Sequence, residues 1–205
     1  MSHIQETVDV DVPVRVAYNQ WTQFEEFPQF MGGVQEVQQL DEKRLHWVAE
    51  IAGVHREWDA EITEQIPDKR VAWTNIGGAT NGGVVTFHRL APQRTRVMLQ
   101  LDFEPEGILE NVGDKLGFVA GQTKADLERF REFITSRGQE TGAWRGEVHG
   151  GDVRPPGTGT IGTTGMAGGM AGSATGGLRS GDITDVGDEP FDDEPFEDPY
   201  DPRTL

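Results

Sequence analysis

The chain has 205 residues and a formal net charge of −17, with 35 acidic against 18 basic side chains, so nucleic acid and anionic membrane surfaces are poor partners for it. It contains no cysteine, which excludes disulfides and thiolate chemistry. The N-terminus lacks the basic and apolar regions of a secretory signal, and no segment is apolar enough to be a transmembrane helix, so we expect a cytoplasmic protein.

The N-terminal residues predict a strand followed by a short helix. Residues 3–12 alternate between apolar and polar side chains, a pattern typical of a half-buried strand. Pro13 ends this strand and suits the first turn of a helix. Residues 14–21 then carry apolar side chains at steps of three and four, as an amphipathic helix does.

An aromatic segment, residues 21–37, follows, and the rest of the predicted fold depends on it. Phe24, Phe27 and Phe30 recur every third residue and share one face of a helical path. Pro28 predicts a break between two short helical pieces at Phe27–Pro28. A surface this apolar needs a concave partner, and two interpretations stay open: the aromatic rings are core, or some of them face an enclosed ligand cavity.

Six further strands are predicted after the aromatic segment, joined by short turns. They cover residues 34–40, 44–52, 54–66, 70–76, 84–90 and 95–103. With the first strand they form a seven-strand antiparallel meander. The glycine-rich loop 77–83 lacks a Gly-Lys-Ser/Thr sequence and precedes a strand, so it does not match a phosphate-binding loop.

One long helix is predicted from residue 107 to residue 137, because apolar side chains recur there at steps of three or four. Its first half carries Gly113, Gly117 and Gly121, four residues apart. Each costs up to about 1 kcal/mol relative to alanine in a helix interior. Either the helix packs closely on the sheet, or this half is kept thin to leave volume beneath it or is able to shift.

Residues 139–205 are predicted to be a disordered glycine-rich linker and acidic tail, which leaves residues 1–138 as the folded domain. Near its end the tail repeats Asp-Glu-Pro-Phe at residues 188–191 and 193–196. Residues 188–201 are either a solvated tail or a docking motif for the basic groove of a protein partner.

The order of strand, two short helices, six strands and long helix predicts an α+β fold, a curved seven-strand antiparallel sheet wrapped on the C-terminal helix. At Val12-Pro13, Phe27-Pro28, residues 34–37 and residues 83–87, the chain resembles the START-like helix-grip superfamily (SRPBCC) of polyketide cyclases/dehydrases and lipid transport proteins. The resemblance is strongest to its coenzyme Q-binding-protein-like branch and covers about residues 2–137. This fold hosts binding proteins and enzymes alike.

The resemblance implies a hydrophobic cavity between the sheet and the long helix, with its entrance near the short helices. The ligand-binding residues that it implies are Phe27, Phe30, Trp47, Arg56, Trp58, Trp73, Phe87, Leu99, Leu101, Phe103, Leu109, Val112, Leu116 and Val119. Arg56 is the polar candidate, since it interrupts an apolar face and can bind a carbonyl or carboxylate group or stack on a ring. Alternatively, it forms a salt bridge to an inward acid or reaches solvent at a strand edge.

Three functions therefore remain open. The first is a non-catalytic binder or carrier of a hydrophobic small molecule, such as a quinone, polyketide or lipid. The second is a polyketide cyclase/dehydrase that uses Arg56 and Tyr18, and the third is a scaffold that recruits a partner through its acidic tail. The five dispersed histidines show no metal-ligand spacing, so neither a metal nor another cofactor is predicted, and an enzyme is not the preferred interpretation.

Overall fold

Nine strands, two α-helices and one 3₁₀ helix form the described part of this computed structural model, residues 2–77, 81–104 and 114–157. The strands are β1 (Ser2–Val10), β2 (Val34–Gln39), β3 (Arg44–Ile51), β4 (Val54–Ile66), β5 (Arg70–Ile76), β6 (Asn81–Ala91), β7 (Arg94–Phe103), β8 (Glu147–His149) and β9 (Asp152–Arg154). The helices are α1 (Val14–Trp21), the 3₁₀ helix (Phe24–Gln29) and α2 (Lys115–Arg137).

The first seven strands form one antiparallel sheet in the order β1-β7-β6-β5-β4-β3-β2. Consecutive strands from β2 to β7 are neighbours, as the short turns predict. β1 closes the order by pairing with β7, from Ser2 opposite Phe103 to Val10 opposite Thr95. The curved sheet and the long C-terminal helix confirm the predicted α+β helix-grip fold.

The core lies where the inner face of the sheet meets α1, the 3₁₀ helix and α2. Trp21 is 1 % exposed and its ring lies edge-on to that of Phe130 on α2, with the centroids 5.1 Å apart. The ring of Phe30 packs on Phe130 at the same centroid distance. Leu127 and Ile134 continue this buried face of α2 at helical spacing. The aromatic segment is thus buried between sheet and helix.

The two short helices follow β1 as predicted, but the break between them lies at Thr22–Gln23 and not at Phe27–Pro28. The hydroxyl of Thr22 donates to the carbonyl of Asn19 at 2.7 Å, and this side-chain bond to the last turn accompanies the end of α1. Pro28 lies inside the 3₁₀ helix. A short 3₁₀ segment makes few backbone bonds, so a missing N–H is tolerated there.

Helix α2 begins at Lys115, because the carboxylate of Asp114 caps it by accepting from the N–H of Gly117. The predicted start at residue 107 lies outside the described residues. The helix ends at Arg137, followed by Gly138 in the left-handed conformation with φ 68°, as the sequence predicts. No helix in the described residues is long and apolar enough to cross a membrane.

Close packing of helix on sheet does not explain two glycines of α2. A Cβ at Gly117 would meet the capping carboxylate of Asp114, so this position is small because of the cap. A Cβ at Gly121 would meet nothing within 4 Å. Gly113 lies outside the described residues. At Gly117 and Gly121, close contact between helix and sheet is therefore not the reason for glycine.

Residues 139–157, called the strap from here on, return to the domain instead of forming the predicted linker. β4 runs five residues past the end of its pairing with β3, and β8 pairs with this extension at Glu64 and Gln65. β9 then pairs with β8. The strap carries buried Val148 and half-buried Trp144, which give it apolar surface to bury. This correction concerns residues 139–157 only, since residues 158–205 lie outside the described part.

Polar contacts fasten the strap to α1, to the 3₁₀ helix and to the turn between β4 and β5. The guanidinium of Arg145 donates two hydrogen bonds to the carboxylate of Asp68, at 2.9 and 2.7 Å, and a third to Asn19. The amide of Gln20 and the carboxylate of Glu26 both bond Thr141. These contacts satisfy polar groups of α1 that would otherwise be buried without partners.

Candidate functional site

A cavity of about 310 Å³ lies between the inner face of the sheet and the N-terminal half of α2. Ala52 and Phe118 line it and are exposed, so they mark the end at which it meets solvent. The size is near the lower limit of ligand pockets, roughly 300–1,000 Å³. A small ring system or a short chain therefore fits better than a long lipid.

The deep part of the cavity is apolar. Trp21, Phe24 and Phe27 reach it from α1 and the 3₁₀ helix, and Leu45, Ile62 and Val71 reach it from β3, β4 and β5. The short helices hold their rings there through edge contacts, with the Trp21 and Phe27 centroids 5.3 Å apart. The aromatic segment thus serves as core and cavity wall at once.

Two tryptophans form one wall on the paired strands β3 and β4. Trp47 and Trp58 lie opposite each other in register, and their rings stack 5.9 Å apart and 6° from parallel. The ring of Phe27 meets Trp47 edge-on at 5.6 Å. Flat aromatic surfaces of this kind suit planar or extended lipophiles.

A third tryptophan, Trp73 on β5, lines the cavity opposite Gly82 and Gly83 of β6. A Cβ placed at Gly83 would lie 2.6 Å from Cζ2 of Trp73 and 2.9 Å from Cδ2 of Leu101. Only glycine leaves room for the indole ring at this point. The Gly-Gly pair at the start of β6 therefore shapes the cavity wall.

The helix side of the cavity adds polar side chains, because Gln122, Thr123 and Asp126 of α2 line it beside Phe118 and Val119. The Oδ1 atom of Asp126 accepts from the N–H of Gly32 at 2.9 Å, from Gln122 at 3.2 Å, and from the guanidinium of Arg129. Burial raises the pKa of this carboxyl, and the hydrogen bond from Gly32 and the charge of Arg129 oppose the shift. Asp126 thus joins α2 to the glycine turn that follows the 3₁₀ helix.

Gly32 is small for a matching reason. A Cβ there would lie 2.7 Å from the guanidinium of Arg129, which also donates to the carbonyl of Phe30 at 2.9 Å. The predicted end of the second helical piece, Gly32–Gly33, is thus also the place where α2 packs closely against the turn.

The structure brings many of the predicted ligand-binding residues together around the cavity. Those that line it are Phe27, Trp47, Trp58, Trp73, Leu99, Leu101, Phe103 and Val119. Their role in ligand binding stays a prediction.

Other predicted residues lie elsewhere. Phe30 and Phe87 are buried in the core beside Trp21 and do not reach the lining, because their strand and turn positions point them toward α2 and α1. Leu116 is 46 % exposed on the first turn of α2. Leu109 and Val112 lie outside the described residues.

Arg56 and Tyr18, the candidate catalytic residues, are not on the lining either. Arg56 lies in the cross-strand row Val34–Ala49–Arg56, whose other two members line the cavity. Tyr18 is fully buried and its hydroxyl bonds Gln65 at 3.2 Å. Burial raises the pKa of Tyr18 to about 12. Its hydroxyl is closed into the core on the strap side.

Sequence reasoning missed Asp126, Gln122 and Met31 among the lining residues. A signal for Asp126 existed, because Val119, Thr123 and Asp126 follow each other at steps of four and three and share one helical face. An acid in phase with the apolar stripe of a helix is the pattern that marks it. Met31 and Gln122 had no comparable signal.

The histidines contribute to the surface. His46 pairs with Asp59 at 2.7 Å, directly across β3 and β4, and His3 pairs with Asp102 at 2.9 Å across β1 and β7. Such cross-strand pairs depend on register and cannot be found from spacing along the chain. They lie on the outer face of the sheet, as alternation predicts for His46.

A family model described as polyketide cyclase/dehydrase and lipid transport matches residues 10–132, which span β1 to α2. The chain belongs to this family. An uncharacterized 17.2 kDa protein from the melC2-rnhH intergenic region of Streptomyces lincolnensis is 63 % identical over 149 residues, 72 % of this chain and 99 % of that protein. The matched length exceeds 138 residues, so this similarity includes part of the strap.

Solved structures show the same fold. The protein DR_A0006 of Deinococcus radiodurans is 27 % identical with a TM-score of 0.53, covering 66 % of this chain and 99 % of its own. A START superfamily protein of Mycobacterium smegmatis has 17 % identity and a TM-score of 0.57, over 66 % and 97 % of the two chains. The Zhui aromatase/cyclase of Streptomyces sp. R1128 has 15 % identity and a TM-score of 0.56, over 69 % and 98 %.

Proposed function

We propose that this chain binds and carries a hydrophobic small molecule in the cavity between sheet and α2, without transforming it. The observation that carries the proposal is the cavity itself, about 310 Å³ with an aromatic and aliphatic sheet side. Quinone, polyketide and lipid-like molecules share the flat or extended apolar body that such a wall accepts. Membership of the family agrees with this ligand class.

Cyclase/dehydrase chemistry is the second candidate function. It needs acid and base groups that converge on the substrate. Tyr18 is enclosed in the core, and Asp126 is the lining carboxyl whose pKa burial raises. The presence of the Asp126 carboxyl on the cavity lining is thus the observation in favour of an enzyme. A scaffold that acts through residues 188–201 is a third candidate, which rests on the sequence repeats alone.

The test is native mass spectrometry of the protein purified from its own host, followed by organic extraction. We expect a co-purifying lipophile in the wild-type protein. Val119→Trp should abolish it, because the indole would occupy a large part of the cavity that Val119 lines. Leu116→Trp is the matched control, since Leu116 is exposed on the same helix and should leave the lipophile bound.

Three outcomes would count against the proposal. A lipophile retained equally by both variants would place binding outside the cavity. A wild-type protein that is empty and also shows no thermal shift with quinones, fatty acids or aromatic polyketides would favour the scaffold. Release of a chemically altered molecule after incubation with an aromatic polyketide would favour the enzyme.

A further inference from the structure

The cavity has one shielded carboxylate, and half of that carboxylate is unused. Asp126 lines the cavity and its side chain is only 14 % exposed. The contacts from Gly32, Gln122 and Arg129 all end on Oδ1. No described residue donates to Oδ2. An ionised carboxylate offers about four acceptor positions, so Oδ2 keeps acceptor capacity that the fold does not use.

The charge that the cavity presents to a ligand comes from Asp126. The other charged residues among the described lining, Glu50 and Asp102, are also acidic, but they occupy outward positions of their strands, where Asp102 pairs with His3 and Glu50 with Gln35. The nearby guanidinium of Arg129 is engaged by Asp126 and by the carbonyl of Phe30. A carboxylate on a ligand would therefore meet like charge in a partly desolvated space, where repulsion is stronger than in water.

We propose that Oδ2 of Asp126 accepts a hydrogen bond from a hydroxyl group of the ligand, so that the cavity selects neutral, hydroxyl-bearing lipophiles over carboxylates. The apolar wall of Trp47 and Trp58 holds the body of the molecule, and Asp126 fixes the end that carries the hydroxyl. A phenol, hydroquinone or alcohol fits this chemistry, whereas a fatty acid does not. The inference rests on the proposed binding function and narrows its ligand class.

The test uses three probes that share one ring system: 2-naphthol, 2-methoxynaphthalene and 2-naphthoate. They present a hydroxyl, an ether that only accepts, and a carboxylate that is ionised at neutral pH. Binding is measured by calorimetry and by quenching of tryptophan fluorescence. For the full-length wild-type protein we expect 2-naphthol to bind about tenfold more tightly than either other probe, the range of a hydrogen bond to a charged acceptor.

The variant Asp126→Asn makes the test sharper. An asparagine keeps one oxygen for Gly32 and Gln122 and places an amide NH₂ in the position of Oδ2, turning an acceptor into a donor. The preference for 2-naphthol over 2-methoxynaphthalene should disappear or invert, and 2-naphthoate should gain affinity. Asp59→Asn is the control, because Asp59 pairs with His46 outside the cavity and its loss removes the same charge.

The outcomes separate this inference from the function on which it rests. Equal affinities for all three probes in the wild-type protein would overturn the role of Asp126 and leave cavity binding standing. Tightest binding of 2-naphthoate would do the same. No binding of any probe would overturn both. The wild-type comparison is decisive even if Asp126→Asn does not fold, since it needs no variant.

Discussion

The ring of Trp73 occupies the space in which Gly83 would otherwise carry a side chain. A Cβ at Gly83 would lie 2.6 Å from the indole, 2.8 Å from the carbonyl of Gln100 and 2.9 Å from Leu101. Two of these neighbours are cavity-lining side chains and the third is backbone that cannot move freely. The size of the cavity therefore depends on the absence of a side chain at Gly83.

Replacing Gly83 by alanine should lower the free energy of unfolding by about 1–3 kcal/mol, the usual cost of overpacking a fitted interior. The same change at Gly121 should have the opposite sign. Gly121 lies in α2 with nothing near its Cβ position, so alanine should stabilise by up to about 1 kcal/mol. Urea denaturation of both variants measures the difference. Equal effects of the two substitutions would show that the indole is not fixed over Gly83.

Truncation should separate the strap from the rest of the C-terminal segment. A chain that ends at residue 157 should melt close to the full-length protein, because residues 158–205 are predicted to be flexible. A chain that ends at residue 138 should melt about 4–8 °C lower, since it loses the burial of Val148 and the partners of Asn19 and Gln20, together worth roughly 2 kcal/mol. Calorimetry of the two truncated chains measures this.

Arg145→Ala in the full-length chain isolates the ionic part of the same attachment. It removes the paired hydrogen bonds to Asp68 and the bond to Asn19, at a cost of about 1 kcal/mol for a partly exposed pair.

For the truncated chains, equal melting temperatures of the chain that ends at 138 and the chain that ends at 157 would mean that the strap adds no stability.

The phenol of Tyr18 should titrate well above the ordinary range. Its pKa is raised to about 12 by burial, so the folded protein keeps the neutral form while the unfolded chain ionises near pH 10. Stability that is present below pH 10 should therefore fall between about pH 10 and pH 12, by at most about 1.4 kcal/mol per pH unit. A Tyr200→Phe chain leaves Tyr18 as the one tyrosine, and its tyrosinate absorbance measures the pKa. Ionisation of the folded chain near pH 10 would contradict the prediction.

The role of Arg56 in ligand binding remains a prediction, which a single variant can test. Its Nε atom is buried without a hydrogen-bond partner among the described residues, in the same cross-strand row as cavity-lining Val34 and Ala49. Arg56→Leu should weaken the binding of 2-acetylnaphthalene several-fold, because a ligand carbonyl would lose a donor. The melting temperature should change little. Unchanged affinity would remove Arg56 from the site.

The bounds of helices and strands were predicted best where a single periodicity extends over the whole segment. The alternation of β4 predicted both ends of that strand, and the 3.6-residue repeat of α2 predicted its end at Arg137 but not its start. Sequence reasoning failed for the strap, whose strands have three residues each and gain their stability from β4 and Asp68. Contacts that form only after folding produce no periodic pattern in the local sequence, so they cannot be predicted from it.

The site was harder to predict than the fold for a related reason. Alternation assigns a side chain to the inner face of a sheet, but it does not tell whether that side chain meets the cavity or the packed core. Phe87 and Leu99 are both inward on neighbouring strands, yet Phe87 packs on Tyr18 and Leu99 lines the cavity. The position of α1 along the sheet decides between them.

The contact between Trp21 and Phe130 joins residues that leave the ribosome far apart in time. Roughly 110 residues separate them, so at about 5–20 residues per second the indole waits roughly 5–20 s for its partner. β1 waits almost as long for β7, since Ser2 pairs with Phe103. Non-local pairing of this kind makes folding slow and leaves the aromatic segment uncovered during synthesis. Until α2 is made, the nascent chain therefore exposes apolar surface of the kind that promotes aggregation.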